Sequence, residues 1–446
     1  MKYPKYPAYK NSGVEWIGEI PATWSIKRLK YIIEKFTGGG TPSTGVSDYW
    51  TTEGGFPWVA ISDITKTDVI TETERKITVS GLNSKNLTLL PPGTIVYSMY
   101  ASVGKVSKLL ITASTNQAIL GLINRENQLL NDYLKLSLEA FEPFVGLLFS
   151  SNTQNNINEE KVKNIIIPIT YITDQAIIIR FLSTKNVLID NLISKTQKMI
   201  ELLKEKRQAI ITNAVTKGID PNVPMKKSGV EWIGGIPDHW DTIPIKFIMS
   251  CNDETLPEST HPETKIQYIE ISDVSENQGI TNIQEIKFSD APSRARRIVK
   301  DGDIIISTVR TYLRAIAAIK EPMENTVAST GFAVLRPRGL SQKFAKYALS
   351  ANYFIERIVS ESTGVSYPAI SSEKLMNFRI AVPDSKSHNY ISEYIAKING
   401  KLSQLISKQE RMIELLKEYK TSLITQAVTG KIDVRGFAVP TDSNSA

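Results

Sequence analysis

Few residues in this chain have the types and spacing that covalent chemistry needs. Its one cysteine, Cys251, excludes an internal disulfide and a cysteine-based zinc site. The three histidines, His239, His261 and His388, lie far apart in sequence, so no metal centre is expected. Phe36–Gly40 reads FTGGG and fits the FxGxG pattern of a methyl-donor loop. No Asn/Asp-Pro-Pro-aromatic motif follows it, since Pro91-Pro92 is succeeded by Gly93. Around Gly104-Lys105 a phosphate-binding P-loop fails twice: Met99 stands where its first glycine belongs, and Val106 replaces the Ser or Thr. Pro237-Asp238 with Glu263 and Lys265 matches only a permissive nuclease pattern, and Pro21-Ala22 lacks the acid in the corresponding place. The pattern points to binding rather than catalysis.

Binding chemistry is better represented. Lys and Arg number 53 against 46 Asp and Glu, a net charge of +7, which permits a nucleic-acid partner without proving one. Phosphate contacts position a protein on DNA, while Arg, Asn and Gln read base edges. Arg294, Arg296, Arg297 and Lys300 form a dense basic run. Arg310, Tyr312 and Arg314 follow a β-branched run in a stretch, TVRTYLRA, suited to a groove. Tyr97, Tyr100, Ser102, Lys105 and Lys108 occupy the corresponding region earlier in the chain, with Lys105 and Lys108 as phosphate contacts. Gly38 to Thr41 would let backbone approach DNA closely, or form a plain turn. At each position the alternative is a solvated or packed side chain.

The elements that carry these residues occur twice. KNSGVEWIGEIPATW (Lys10–Trp24) returns as KKSGVEWIGGIPDHW (Lys226–Trp240), and IELLKEKRQAIITNAVTKGID from Ile200 returns as IELLKEYKTSLITQAVTGKID from Ile413. Nearly equal offsets mark a tandem duplication. A thinner correspondence links FPWVAISDIT (Phe56–Thr65) with IQYIEISDVS (Ile266–Ser275), and Ala113-Ser114-Thr115 with Ala328-Ser329-Thr330. The midsections read as mixed α/β, with short strands punctuated by Gly, Pro and Asn. The repeated tryptophans, Trp16, Trp24, Trp232 and Trp240, are expected to pack each globular part against a helix end.

Two proline-free stretches, about 175–215 and 389–428, repeat apolar residues every three or four positions. The first places Leu182, Ile189, Thr196, Leu203 and Ile210 seven apart; the second, Ile395, Leu402, Gln409, Leu416 and Leu423. Heptads of this length predict two coiled-coil helices of roughly 60 Å each. Paired antiparallel, they would set Thr196 opposite Gln409 at the centre as a polar register layer; the alternative is that both side chains reach solvent. Their lysines could equally form a solvated face, dock a partner or attract phosphates.

In this order, the two GVEWIG–IP–W segments, the variable midsections and the two IELLKE–AVT helices closely resemble the specificity subunit of type I restriction-modification enzymes. The first midsection also resembles one recurrent target-recognition type, through GGGTPSTG (Gly38–Gly45), Tyr49-Trp50 and FPWVAISDI. The second resembles another, through ISTVRTYLRAIA (Ile306–Ala317) and ASTGFAVLRP (Ala328–Pro337). The resemblance implies an α/β protein with two target-recognition domains in pseudo-two-fold arrangement, separated by long antiparallel coiled-coil helices. The expected boundaries are 1–173 and 218–387 for the domains, 174–217 and 388–430 for the helices, and 431–446 for a tail. Each domain would read one half of an asymmetric bipartite DNA site, and the helices would set the spacer and dock the modification subunits. The chain itself would hold no cofactor and no catalytic residue. S-adenosylmethionine would bind two adenine methyltransferase partners, and ATP and Mg two motor/nuclease partners. Without the resemblance, a coiled-coil scaffold with two protein-binding ends fits equally.

No apolar run approaches the ~18 residues of a membrane span, and the N-terminal MKYPKYPAYK lacks a signal-peptide core, so a cytoplasmic location is expected. From Gln175 to Lys217 there are eight Lys and Arg against three acids, and from Asn389 to Lys431 seven against four. The predicted helices thus hold the whole basic excess, and the midsections together are near neutral.

Overall fold

The computed structural model describes residues 3–124, 128–149, 156–276, 278–384 and 386–438. The chain divides into two compact units, residues 1–196 with 411–446, and residues 197–410. Each unit combines one globular midsection with part of both long helices.

The midsections share a scaffold. In the first unit a five-stranded sheet runs in the order Ile33–Gly38, Ile119–Asn124, Ile95–Ser98, Val106–Leu109, Val69–Ile70. In the second, a four-stranded sheet runs Met249–Cys251, Phe332–Pro337, Ile304–Ser307, Ile316–Ala318. The central strands Ile95–Ser98 and Ile304–Ser307 are buried on both faces, as runs of β-branched residues require. Both begin after a turn glycine with positive φ, Gly93 at 91° and Gly302 at 89°, a conformation that costs glycine little.

A second sheet in each unit explains the thin sequence correspondences. Phe56–Val59 pairs in parallel with Ser114–Thr115, and Lys265–Ile269 in parallel with Thr326–Ser329. The following acid folds back in both copies: Asp63 accepts from the Ala60 amide at 2.8 Å and Asp273 from the Glu270 amide at 3.3 Å. Pro168 lies in a strand, Ile166–Ile169, that pairs only with Ser25–Arg28, an edge position where a missing N–H is tolerated.

The long helices span Ile172–Lys217 and Ser387–Val428, the second running through Gly400 without a break. They lie antiparallel within each unit. In the first, the Phe181 ring meets Phe437 at 5.0 Å while Asp190 pairs with Lys420 at 2.8 Å. In the second, Arg207 donates to Ser403 at 3.0 Å, while Ile210 and Asn213 share a cleft with Tyr394.

The seam departs from the expected heptads. Leu182, Ile189 and Thr196 are buried, but Leu203 and Ile210 are half-buried; Ile200, Arg207, Ile211, Ala214 and Val215 take the inner face. A straight helix drifts from a seven-residue repeat by about 20° per heptad, and here the drift turns Ile211 and Val215 into the core around Trp240. In the second helix the expected Ile395, Leu402 and Leu423 are buried, and Ile391, Ile406 and Ile424 join them on the inner face. Thr196 and Gln409 fall in different units. The Thr196 hydroxyl donates to the Leu192 carbonyl at 2.7 Å, so this buried side chain is satisfied on its own helix.

The tryptophans are packing residues, as expected, with one exception. Trp24 and Trp240 are almost fully buried, beside the positive-φ glycines that follow the two helices, Gly430 and Gly218. Gly430 closes a Schellman cap, with Lys431 N–H donating to Gln426 at 2.8 Å and its own N–H to Ala427 at 3.2 Å. Trp16 is buried, whereas Trp232 is partly exposed and carries the Arg357 guanidinium on its face at 4.4 Å.

Candidate nucleic-acid interface

The two loops leaving the central strands are built alike. After Ser98 and after Ser307 the chain turns back, and each serine hydroxyl donates to a carbonyl two residues on, Tyr100 or Val309. Met99 donates to Ala118 and accepts from Ile157; Thr308 donates to Gly331 and accepts from Ile370. The same frame therefore presents two different sequences.

In the second unit this loop is strained and exposed. Arg310 and Arg314 adopt left-handed backbone, with φ of 52° and 53°, on either side of the short 3-10 turn Thr311–Leu313. Each such non-glycine residue costs about 1–2 kcal/mol, and strain of this kind concentrates at ligand-contacting segments. Tyr312 and Leu313 stand in solvent, and the Arg310 guanidinium lies on the exposed ring of Tyr367 at 4.6 Å. The Arg310 amide donates to Pro368 at 2.8 Å, which joins this loop to the 363–369 segment and its exposed Val365 and Tyr367. Sequence reasoning missed Tyr367. The Gly, Ser and Pro around it signal a loop, but nothing in the sequence places that loop beside Arg310.

Arg314 has a different position. It donates to Asn352 at 2.6 Å and approaches Glu276 at 3.4 Å, and Glu276 also receives Gln208 of the first long helix. This guanidinium ties the loop to the body of its unit.

The run from Arg294 to Lys300 does not act as one cluster. Its strand, Ala295–Ile298, carries a register irregularity between Ala295 and Arg297, and the side chains diverge. Arg294 binds the Tyr268 hydroxyl at 3.2 Å and the Glu270 carboxylate, contacts that favour its charged form. Arg296 stacks on Phe288 at 4.6 Å. Lys300 pairs with Glu254 at 2.5 Å, and Arg297 is half-buried.

In the first unit several expected contacts are corrected. Tyr97, expected among the DNA contacts, is fully buried, and burial pushes its hydroxyl well above the usual range, so it is a core residue. Lys108 is mostly buried and binds both carboxylate oxygens of Asp132, at 2.8 and 3.0 Å. Lys105 is more open and pairs with Glu142 at 2.7 Å. Tyr100 and Ser102 remain partly exposed in the loop, beside Ala101 at a φ of 58°. Thr41 is hydrogen-bonded to Gln117. Of the glycines before it Gly39 approaches the protein itself: a Cβ there would sit 2.2 Å from the Thr115 and Asn116 carbonyl oxygens, whereas one at Gly38 would meet nothing within 4 Å.

The comparisons with known proteins point one way. Residues 21–203 match the model of the type I restriction modification DNA specificity domain. The chain is 23% identical to the type I restriction enzyme MjaVIII specificity subunit of Methanocaldococcus jannaschii, over 94% of this chain and 95% of that protein. It is 24% identical to the Escherichia coli EcoR124I/EcoR124II specificity subunit over 45% of this chain and 47% of that one. Among solved structures, one concerned with complex assembly and conformational transition of the type I R-M system matches with a TM-score of 0.67 at 15% identity, covering 92% of this chain and 98% of that one. The HsdS subunit from Thermoanaerobacter tengcongensis matches with a TM-score of 0.51 at 14% identity, covering 93% and 98%.

Proposed function

We infer that this chain is a type I restriction-modification specificity subunit, supplies the DNA sequence specificity of such a system and is not itself the catalyst. The observation that carries the reading is the pair of equivalent loops, at Ser98–Lys105 and Ser307–Arg314, held in one frame with unlike side chains. A protein that reads two unlike half-sites needs the frame kept and the contacts changed.

On this reading the second unit reads its half-site with Arg310 and Tyr312, backed by Tyr367, and Arg314 positions the loop. The first uses Tyr100, Ser102 and Lys105. Phosphates are met by Arg296 and by lysines that are free to leave their surface ion pairs, which are worth only about 0–1 kcal/mol each. The long helices fix the separation of the half-sites and dock two adenine methyltransferase subunits, with two ATP-driven motor/nuclease subunits joining them, inside the cell where the DNA lies. S-adenosylmethionine, ATP and Mg belong to those partners.

Fluorescence anisotropy with the methyltransferase partners present tests this. Specific duplex should bind far more tightly than random duplex, with affinity falling as salt rises in proportion to the phosphates neutralised. Binding with neither sequence preference nor salt dependence would instead favour a protein-binding scaffold.

A further inference from the structure

The two units share a second feature, a cleft between the helix that follows the sheet's last strand and one long helix, and its charge differs sharply between them. In the first unit this cleft, about 760 Å³, is bordered by the helix Asn131–Phe141 and by Ser183 and Asp190 of the first long helix. Its walls carry Asp68, Asp132, Glu139, Glu142 and Asp190 against three lysines, each of them paired: Lys105 with Glu142, Lys135 with Glu139 and Asp68, and Lys420 with Asp190. In the second unit the equivalent cleft, about 890 Å³, is bordered by the helix Gln342–Ser350 and by Ala396 of the second long helix. Here Lys320, Lys343 and Lys346 line the walls, and among the described residues no Asp or Glu does.

The divergence is position by position. The second residue of the short helix is Asp132 in one unit and Lys343 in the other, the fifth is Lys135 and Lys346, and the ninth is Glu139 and Ser350. The basic residue at the fifth position has been kept while its acidic partner was lost and a second base gained. Stability alone disfavours this. Lys343 sits in the first turn, where the helix dipole opposes a cation. Lys346 is half-buried, and desolvation, with the nearby Lys320 charge added, depresses its affinity for a proton. An anion in the cleft would relieve both costs. Gln278, Asn282 and Tyr347 on the same walls add hydrogen-bonding groups.

We propose that the cleft of Lys320, Lys343 and Lys346 in the second unit is a binding site for a phosphate-bearing ligand, absent from the equivalent cleft of the first unit. The site is independent of the sequence-reading loops, so it stands or falls separately from the function proposed above. The shared chemistry, a phosphoryl oxyanion among lysines, could be met by a soluble oligophosphate compound or by a phosphate of the DNA backbone.

Titration calorimetry of the full chain with inorganic tripolyphosphate tests the site. One saturable site per chain is expected. Lys343→Gln and Lys346→Gln should each weaken it at least tenfold, while Lys420→Gln, in the first unit's cleft, leaves it unchanged. Lys343 is exposed, so its variant reports on binding even if the more buried Lys346→Gln disturbs folding; thermal melting identifies that case. Competition by a short duplex would assign the phosphate to DNA, and its failure to compete would assign it to a soluble compound; either supports the site. Absence of saturable binding, or equal binding by the Lys343→Gln variant, overturns it.

Discussion

Arg310 and Arg314 are separated by three residues yet differ in what surrounds them. Arg310 is exposed, stacked on Tyr367 and held in a strained backbone, whereas Arg314 is engaged by Asn352 and Glu276. Replacing Arg310 by Ala should therefore cost about 1–3 kcal/mol of discrimination, confined to one half-site, with the melting temperature unchanged. This is read by competing half-site variants in a binding assay. The sequence identified both arginines as equals because spacing says nothing about neighbours brought from residues 276 and 352. Tyr97 makes the same point from the other side. Its hydroxyl is buried without a hydrogen-bond partner among the described residues, so Tyr97→Phe should leave DNA binding intact and hold or raise stability, by up to about 1–3 kcal/mol in denaturant titration. Loss of sequence discrimination in that variant would return Tyr97 to the interface.

Elements were more legible than contacts. Both long helices start and stop within a few residues of their expected ends, because proline-free apolar periodicity and a glycine cap are local signals. The second helix buries Ile395, Leu402 and Leu423 as its spacing requires, but in the first the buried face was not legible beyond Thr196. Seven-residue spacing continues to Leu203 and Ile210, but the core around Trp240 draws Ile211 and Val215 inward. The stretch from Gly38 to Thr41 was read as a turn or a close approach to DNA, and at Gly39 the close approach is to the backbone of Thr115 and Asn116. Gly39→Ala should thus destabilise the first unit by about 1–3 kcal/mol through backbone collision with Thr115 and Asn116, seen as a lowered melting temperature. An unchanged melting temperature would show that the strand can move aside.

At the scale of the whole molecule, the duplication is what the sequence shows most plainly, and it organises everything else. Two frames that share a buried central strand and a parallel strand pair carry loops whose side chains have diverged, and two equivalent clefts carry opposite charge balance. On the proposed function, each unit specifies its own half of one DNA site. Adenine methylome sequencing tests it most directly, in cells carrying the system with this subunit and with residues 218–387 exchanged for those of another specificity subunit. The expected result is one bipartite motif with unlike halves, of which the exchange alters one half and leaves the other. A single continuous motif, or an exchange that changes both halves together, would contradict it.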